Sequence, residues 1–508
     1  MSGTFSVLVQ EARGLVAVPS DLSKLACVVG CRSGGTWTAD VSPFFLSGSA
    51  AQAAIGVGDA VDTLCQIIEQ PQPNGDVAKI PACFLTVDVT TAGSHGTIDV
   101  TGVTGTSVIT YDGATTPLGT YDAYVIFLKD ATVGTTGGTY QYSLDGGRSL
   151  SKINSLGTAN SITIPNSGVK FDLGTGTVKK GDIVKVRTKA PQPAAADVTT
   201  QLQVLAAAPT DVGVLVCDFD CDASMITAIS AGLSAMQNAG KRVLCLVKVR
   251  TPNAAESEAA WATAVQVIQS SVSDSRITLI DDYGLVTDVM SGRQYLRNSL
   301  QQKAADVCRV DNATWPDCPA DRKIANYTLV DGNGNLVGHD EGPRGTVTGN
   351  SDDTQGNRLW SAQRLADSGR REDVFSTVPW VLYSDNERIR NIMTRRVANA
   401  AERAAVSAAN SSLGGDVFYI PANPATGASA QLTEASRLAL HGVVFAAVSQ
   451  AVQGDVLNDR DASVDTGLVQ INPYVTVSGG NLLSVQCTIN LNVKGYIVSW
   501  TIVLAIKE

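Results

Sequence analysis

The chain has 508 residues, 44% of them hydrophobic, with a formal net charge of −10 and a pI near 4.9. That length exceeds one ordinary core and predicts about three domains, while a mean hydropathy of +0.08 excludes a largely disordered chain. The acidic balance gives no chain-wide attraction to phosphate backbones, so no nucleic acid partner is expected; without an apolar run of spanning length or a signal core in MSGTFSVLVQEARG, no membrane insertion is expected and cytosolic synthesis is.

Taken in chain order, residues 1–20 read as an N-terminal arm in which Phe5, Val7 and Val9 alternate before any domain begins. LACVVGC and IPACFLTV read as short buried strands, with a helix around AIGVGDAVDTLCQIIEQ. Two proline hinges, QPQPNG and APQPAAAD, bracket a stretch rich in Thr, Gly and Val, whose runs HGTIDVTG, YDAYVIFLK, GTYQYSLDGG and GDIVKVRTK alternate and close on turn residues. Residues 76–194 are therefore expected to be an inserted all-β domain on the surface. VGVLVCDF, KRVLCLVKV and RITLIDD then follow as strands, separated by helices carrying Ile226, Ile229, Leu233 and Met236, and Trp261, Val265 and Ile268. Together 21–75 and 195–340 predict a discontinuous α/β body, an open, mostly parallel sheet with covering helices.

Residues 324–339 suggest a hairpin and 341–375 an irregular connector. A C-terminal α+β domain is expected over 376–495, α+β being the class of the chain as a whole. Its long helix runs from Asp385 to about Ser412 behind a Ser384 and Glu387 capping box. A second helix from Thr433 to Val452, apolar after its first turn, is expected to be central. Val485, Cys487, Ile489, Leu491 and Val493 form one apolar row; Tyr496, Val498, Trp500, Ile502, Leu504 and Ile506 form another in a C-terminal arm, 496–508. Both terminal rows would aggregate unless paired, either with the chain's own sheet or with a neighbour's through β-augmentation.

The chemical candidates are few. In DVGVLVCDFDCDAS a strand delivers Asp218 and Asp220 to its carboxyl end, and RITLIDDYG places Asp281 and Asp282 similarly, with Lys248 between. This resembles the nucleophile and magnesium ligands of haloacid-dehalogenase-type phosphatases, and a Mg-dependent phosphatase is the alternative reading. Ordinary strand ends, with Asp222 as a helix N-cap, account for the same residues. A protein acting through the β insertion as a surface binder is a third class. Ten cysteines without CxxC spacing, and three scattered histidines, predict no metal site. They read as buried reduced thiols, or, once exposed to oxidising surroundings, as cross-links through Cys27, Cys31 or Cys318. Arg388, Arg390, Arg395, Arg396 and Arg403 cluster on the long helix, as solvated surface or as a stripe meeting an acidic partner.

The order of several segments resembles the contractile bacteriophage tail sheath family: LACVVGCRSGG, PFFLSGSAAQAAIGVG, RITLIDDYG, VPWVLYSDNERIRNIMTRRVANA, the apolar helix and GYIVSWTIVLAI. The resemblance covers about the first 85 residues and those beyond 200, leaving the insertion as decoration. It implies a non-enzymatic virion subunit, made in the host bacterial cytoplasm, that forms hexameric rings stacked into a helical polymer around a tail tube. Baseplate and tail terminator proteins are implied partners. Contraction would drive the tube through the bacterial envelope with no cofactor consumed. It also implies that Phe5, Val7 and Val9, with Tyr496 to Ile506, are strands donated to a neighbour, and makes the five arginines candidates for a tube- or ring-facing surface.

Overall fold

A computed structural model describes residues 22–250 apart from 33, 71–78 and 136; 258–330 apart from 272, 315 and 317–323; 359–376 apart from 361 and 368–370; 381–382, 389 and 391–411; 418–478 apart from 424–425; and 482–493. The two terminal arms, Cys318, Arg388, Arg390 and the Ser384 and Glu387 capping box lie outside the described residues.

The body starts with β1 (Ala26–Gly30), α1 (Gly48–Ile55), α2 (Asp59–Glu69) and β2 (Ala82–Thr86). It resumes beyond the insertion with α3 (Ala195–Ala207), β3 (Val214–Cys221), α4 (Ala223–Asn238), β4 (Leu244–Val249), α5 (Glu258–Ser271) and β5 (Ile277–Ile280). An antiparallel sheet of β6 (Tyr283–Thr287), β7 (Gln294–Asn298) and β8 (Tyr327–Leu329) follows, with α6 (Leu300–Arg309) between its last two strands; β9 (Leu359–Trp360) then returns to the main sheet. The main sheet runs β2-β1-β3-β4-β5-β9, all parallel. Both faces are covered, which is why these strands are continuous apolar runs and not alternations. Val28, Val216 and Leu246 pack on α1, α2 and α6. Cys27, Leu215 and Val247 pack on α3, α4 and α5. Gly30 permits the closest approach: a Cβ there would lie 2.3 Å from that of Ala60.

β2 belongs to the body sheet, paired in register with β1, so the inserted β portion begins after it and not at residue 76. The neck is narrow. Thr91 and Gln192 form a β-bridge, each backbone N–H donating to the other's carbonyl at 2.9 Å. Between them, strands at Asp122–Phe127, Thr139–Ser143 and Ile183–Lys189 form one antiparallel sheet, and Ile109–Tyr111, Ser161–Ile164 and Val169–Leu173 another. Their alternate residues Val125, Phe127, Phe171, Val184 and Val186 share a core that Tyr295 of β7 enters from the body.

In the C-terminal portion α7 (Ile392–Ser411) packs on α8 (Glu434–Ala451). α7 starts later than expected, because Asn391 Oδ1 accepts from the Thr394 N–H and caps it there. α8 is not central: Val444 and Val448 face the core while Leu438 and Val443 are 50% and 45% exposed. Of the row from Val485, Cys487 and Ile489 join a short ladder with Val469–Ile471 and Val493 bridges Val456, leaving Cys487 exposed.

Candidate functional site

The aspartates at the carboxyl end of β3 meet the chain's own cations. Lys248, from β4, donates to Asp218 Oδ1 at 2.5 Å, and Thr63 Oγ1, from α2, donates to Oδ2 at the same distance. Burial works against the Lys248 charge, yet Asp218, Asp220 and Asp59 hold its pKa above the usual lysine range. Burial raises Asp220, whose backbone N–H donates to Gln192 Oε1 of the neck. Asp222 accepts from the Met225 N–H as the N-cap of α4, as the strand-end reading expects.

Asp282 lies elsewhere in the same layer. Neither it nor Lys303 is exposed; they pair at 2.6 Å, and Asp282 also accepts from the Ser299 N–H and the Tyr327 hydroxyl. Lys303 donates to the Trp360 carbonyl and lies 4.9 Å from the centre of that ring. Asp218 and Asp282 are thus engaged by different lysines, and no cluster of three metal-ligating side chains occurs among the described residues. A phosphatase needs one carboxylate free to attack and others turned to one ion. The Asp218, Asp220, Asp281 and Asp282 set is not gathered that way.

What these residues do form is a joint. Arg297, on β7 and 6% exposed, donates to Asp62 Oδ2 at 2.7 Å and lies 2.9 Å from Asp59 Oδ1, both on α2. The same guanidinium donates to the Thr120 carbonyl of the insertion and stacks on the Tyr295 ring at 4.2 Å, with Tyr121 at 5.8 Å. Asp59 Oδ1 accepts from the Thr120 N–H at 2.8 Å. Gly58 precedes them at φ +132°, where the Leu118 carbonyl would lie 2.9 Å from any Cβ. Burial opposes ionisation of Asp59, but Arg297, Lys248 and the bonds to Thr120 keep its carboxyl below the usual range. Asp62 goes the other way: burial pushes it up to about 7, with Asp288 and Asp59 adding to the effect against the pull of Arg297. A small recess with room for about one water lies between this cluster and the Asp218 and Lys248 pair, lined also by Thr63, Asn298, Leu300 and Gln301. That is far below the roughly 300–1,000 Å³ of small-molecule sites.

Of the five arginines expected on a tube- or ring-facing surface, the three among the described residues, Arg395, Arg396 and Arg403, turn inward. Arg395 and Arg396 are 7% and 2% exposed. Arg396 donates to the Val310 and Asp311 carbonyls, and Arg403 to those of Val212 and Arg242, so both stitch α7 to the body. Cys27 is fully buried in β1 and cannot reach a neighbouring chain. Cys31 is part-exposed, with burial raising its thiol to about 12, and among the described cysteines the exposed thiol is Cys487. No disulfide joins the described cysteines.

Sequence reasoning missed Arg297, Asp59, Asp62 and Lys303. A cation inside the alternating run QYLRN was the available signal for Arg297, whereas Asp59 and Asp62 read as ordinary first-turn acids of a helix.

Fold and joint together define a mixed α+β scaffold whose strand-end carboxylates are engaged internally. No family model and no curated protein matches the chain. Among solved structures it is similar to the sheath tail protein of Listeria innocua, at 12% identity and TM-score 0.41, covering 92% of this chain and 94% of that one. It is also similar to a chain of the anti-feeding prophage baseplate, at 11% identity, TM-score 0.37 and 63% and 76% coverage. A third likeness is to the contracted sheath complex of an extracellular contractile injection system, at 16% identity, TM-score 0.36 and 60% and 74% coverage. TM-scores this low lend no weight to a functional assignment.

Proposed function

We propose that this chain is the structural subunit of a contractile sheath, polymerising as stacked six-membered rings around a tube and shortening to drive that tube through a bacterial envelope. The observation that carries the reading is the collinear series of segments from LACVVGCRSGG to GYIVSWTIVLAI. Where they are described, these segments become the structural frame: β1 and α1, the buried β5 strand and α7. The chain leaves and re-enters that frame for the insertion at one narrow neck, in keeping with a decoration.

In this reading the terminal rows Phe5, Val7 and Val9, and Tyr496 to Ile506, are donated to neighbouring subunits. They supply persistent contacts while weaker contacts between bodies exchange, as a bistable assembly requires. Tube and baseplate are the partners, and the tail is the location. Negative-stain electron microscopy and sedimentation of the purified chain test the proposal. Tubes or ring stacks are expected, and deletion of residues 496–508 is expected to leave a folded monomer. A full-length chain that stays monomeric at every concentration and salt condition removes the reading.

A further inference from the structure

We propose that the seat of the inserted β portion on the α/β body is a proton-operated latch: Arg297 clamps Thr120 to α2 while the neighbouring carboxylates hold a proton, and the seat loosens when that proton leaves. This stands apart from the assembly proposed above.

The geometry makes Arg297 a cation common to three parts of the chain. It touches Asp59 and Asp62 of α2, the Thr120 carbonyl of the insertion, and the Tyr295 ring of its own strand. The charges facing Asp62 come from every side. Its own helix offers Asp59 and the Cys65 thiol, β7 offers Arg297 and Tyr295, the turn after β6 offers Asp288, and the insertion offers Tyr121. Beyond Asp59 lie Asp218, Asp220 and Lys248, and Lys248 is already paired with Asp218.

Asp288 is 4% exposed. Its Oδ2 accepts from the Ser291 N–H and hydroxyl, while its Oδ1 is buried without a hydrogen-bond partner. Two carboxylates, Asp59 and Asp62, therefore share one buried guanidinium, and the negative charge of Asp288 bears on Asp62 as a third. Like charges so placed cannot all ionise without cost. Asp59 is held ionised by its bonds to Thr120 and Arg297, which makes Asp62, raised to about 7, the residue that keeps the proton.

The sign follows from linkage. The seated Asp62 has a pKa above that of the same group once exposed. Its contribution to the seat is full below the ordinary aspartate value, declines as pH rises and is gone above about 7. Amide hydrogen exchange of the whole chain between pH 5 and 8 tests this, read at Thr120 and Tyr121 and corrected for intrinsic chemistry. Opening is expected to increase up to about tenfold per pH unit as far as pH 7 and then level off. Leu246, in the body core, serves as the control.

Asp62→Asn is expected to flatten the Thr120 and Tyr121 profiles while the Leu246 profile stays. Asp288→Asn, which removes one repelling charge, is expected to shift the levelling-off to lower pH, and it decides the matter if Asp62→Asn does not fold. Wild-type opening that is independent of pH overturns the latch. So does a slope that survives Asp62→Asn, or a levelling-off that Asp288→Asn leaves in place.

Discussion

Lys303 and Asp282 show how much a single buried pair constrains this molecule. Both are closed off from water, and every strong bond they make is to the chain itself. Removing one partner strands the other charge in a low-dielectric interior, a loss of about 3–5 kcal/mol where both partners are fully enclosed. Lys303→Met is therefore expected to lower the unfolding free energy read from urea denaturation by that order, and adding Asp282→Asn to recover part of it. A single variant indistinguishable from wild type would show the pair to be incidental. The Asp222 cap of α4 operates on a smaller scale. Asp222→Ala is expected to cost about 1 kcal/mol, read as a modest drop in thermal midpoint.

At the scale of elements, close approach sets the tolerances. On α4, Gly232 lies against α3 so tightly that a Cβ would fall 2.5 Å from Leu202 Cδ1. Gly232→Val is expected to part the two helices and destabilise the body by about 1–3 kcal/mol, whereas Gly240→Ala tests only a positive φ with open space around it. Calorimetry on both variants separates crowding from backbone strain; equal losses would put the crowding argument aside.

These elements were largely legible in the sequence. The β1, β3, β4 and β5 runs are apolar throughout because both faces are covered, and that pattern survives translation into structure directly. α8 was misjudged because apolar composition cannot tell a core helix from one with a face left open, as Leu438 and Val443 are. The arginines of α7 were misjudged for a related reason: charge implies solvent only until backbone carbonyls such as those of Val310 and Val212 are within reach. The joint was invisible. Asp59, Asp62, Thr120 and Arg297 come from three distant stretches, and no local periodicity marks residues that meet only after folding.

For the whole molecule, the neck at Thr91 and Gln192 defines where the chain can be cut. Replacing residues 92–191 by a short glycine-rich turn keeps β2 in the sheet and leaves the body core untouched. The shortened chain is expected to retain a cooperative unfolding transition by circular dichroism, at a lower midpoint because Arg297 loses Thr120 and Tyr121. Cutting from residue 76 instead removes β2 and is expected to abolish folding. If the two deletions behave alike, the boundary drawn at the neck is misplaced.

The pairing of β1 with β3 also sets a timetable. Ala26 lies beside Val214, so β1 must wait for the whole insertion and α3 to be made before β3 exists to pair with it. Such distant pairings are slow because chain closure comes before the contacts that reward it. An insertion that folds first, with its two ends already bridged, shortens that search by turning a long tether into a short one. Folding in that order would make the appendage a nursery clasp for the sheet it interrupts, during synthesis and before any task the finished molecule performs.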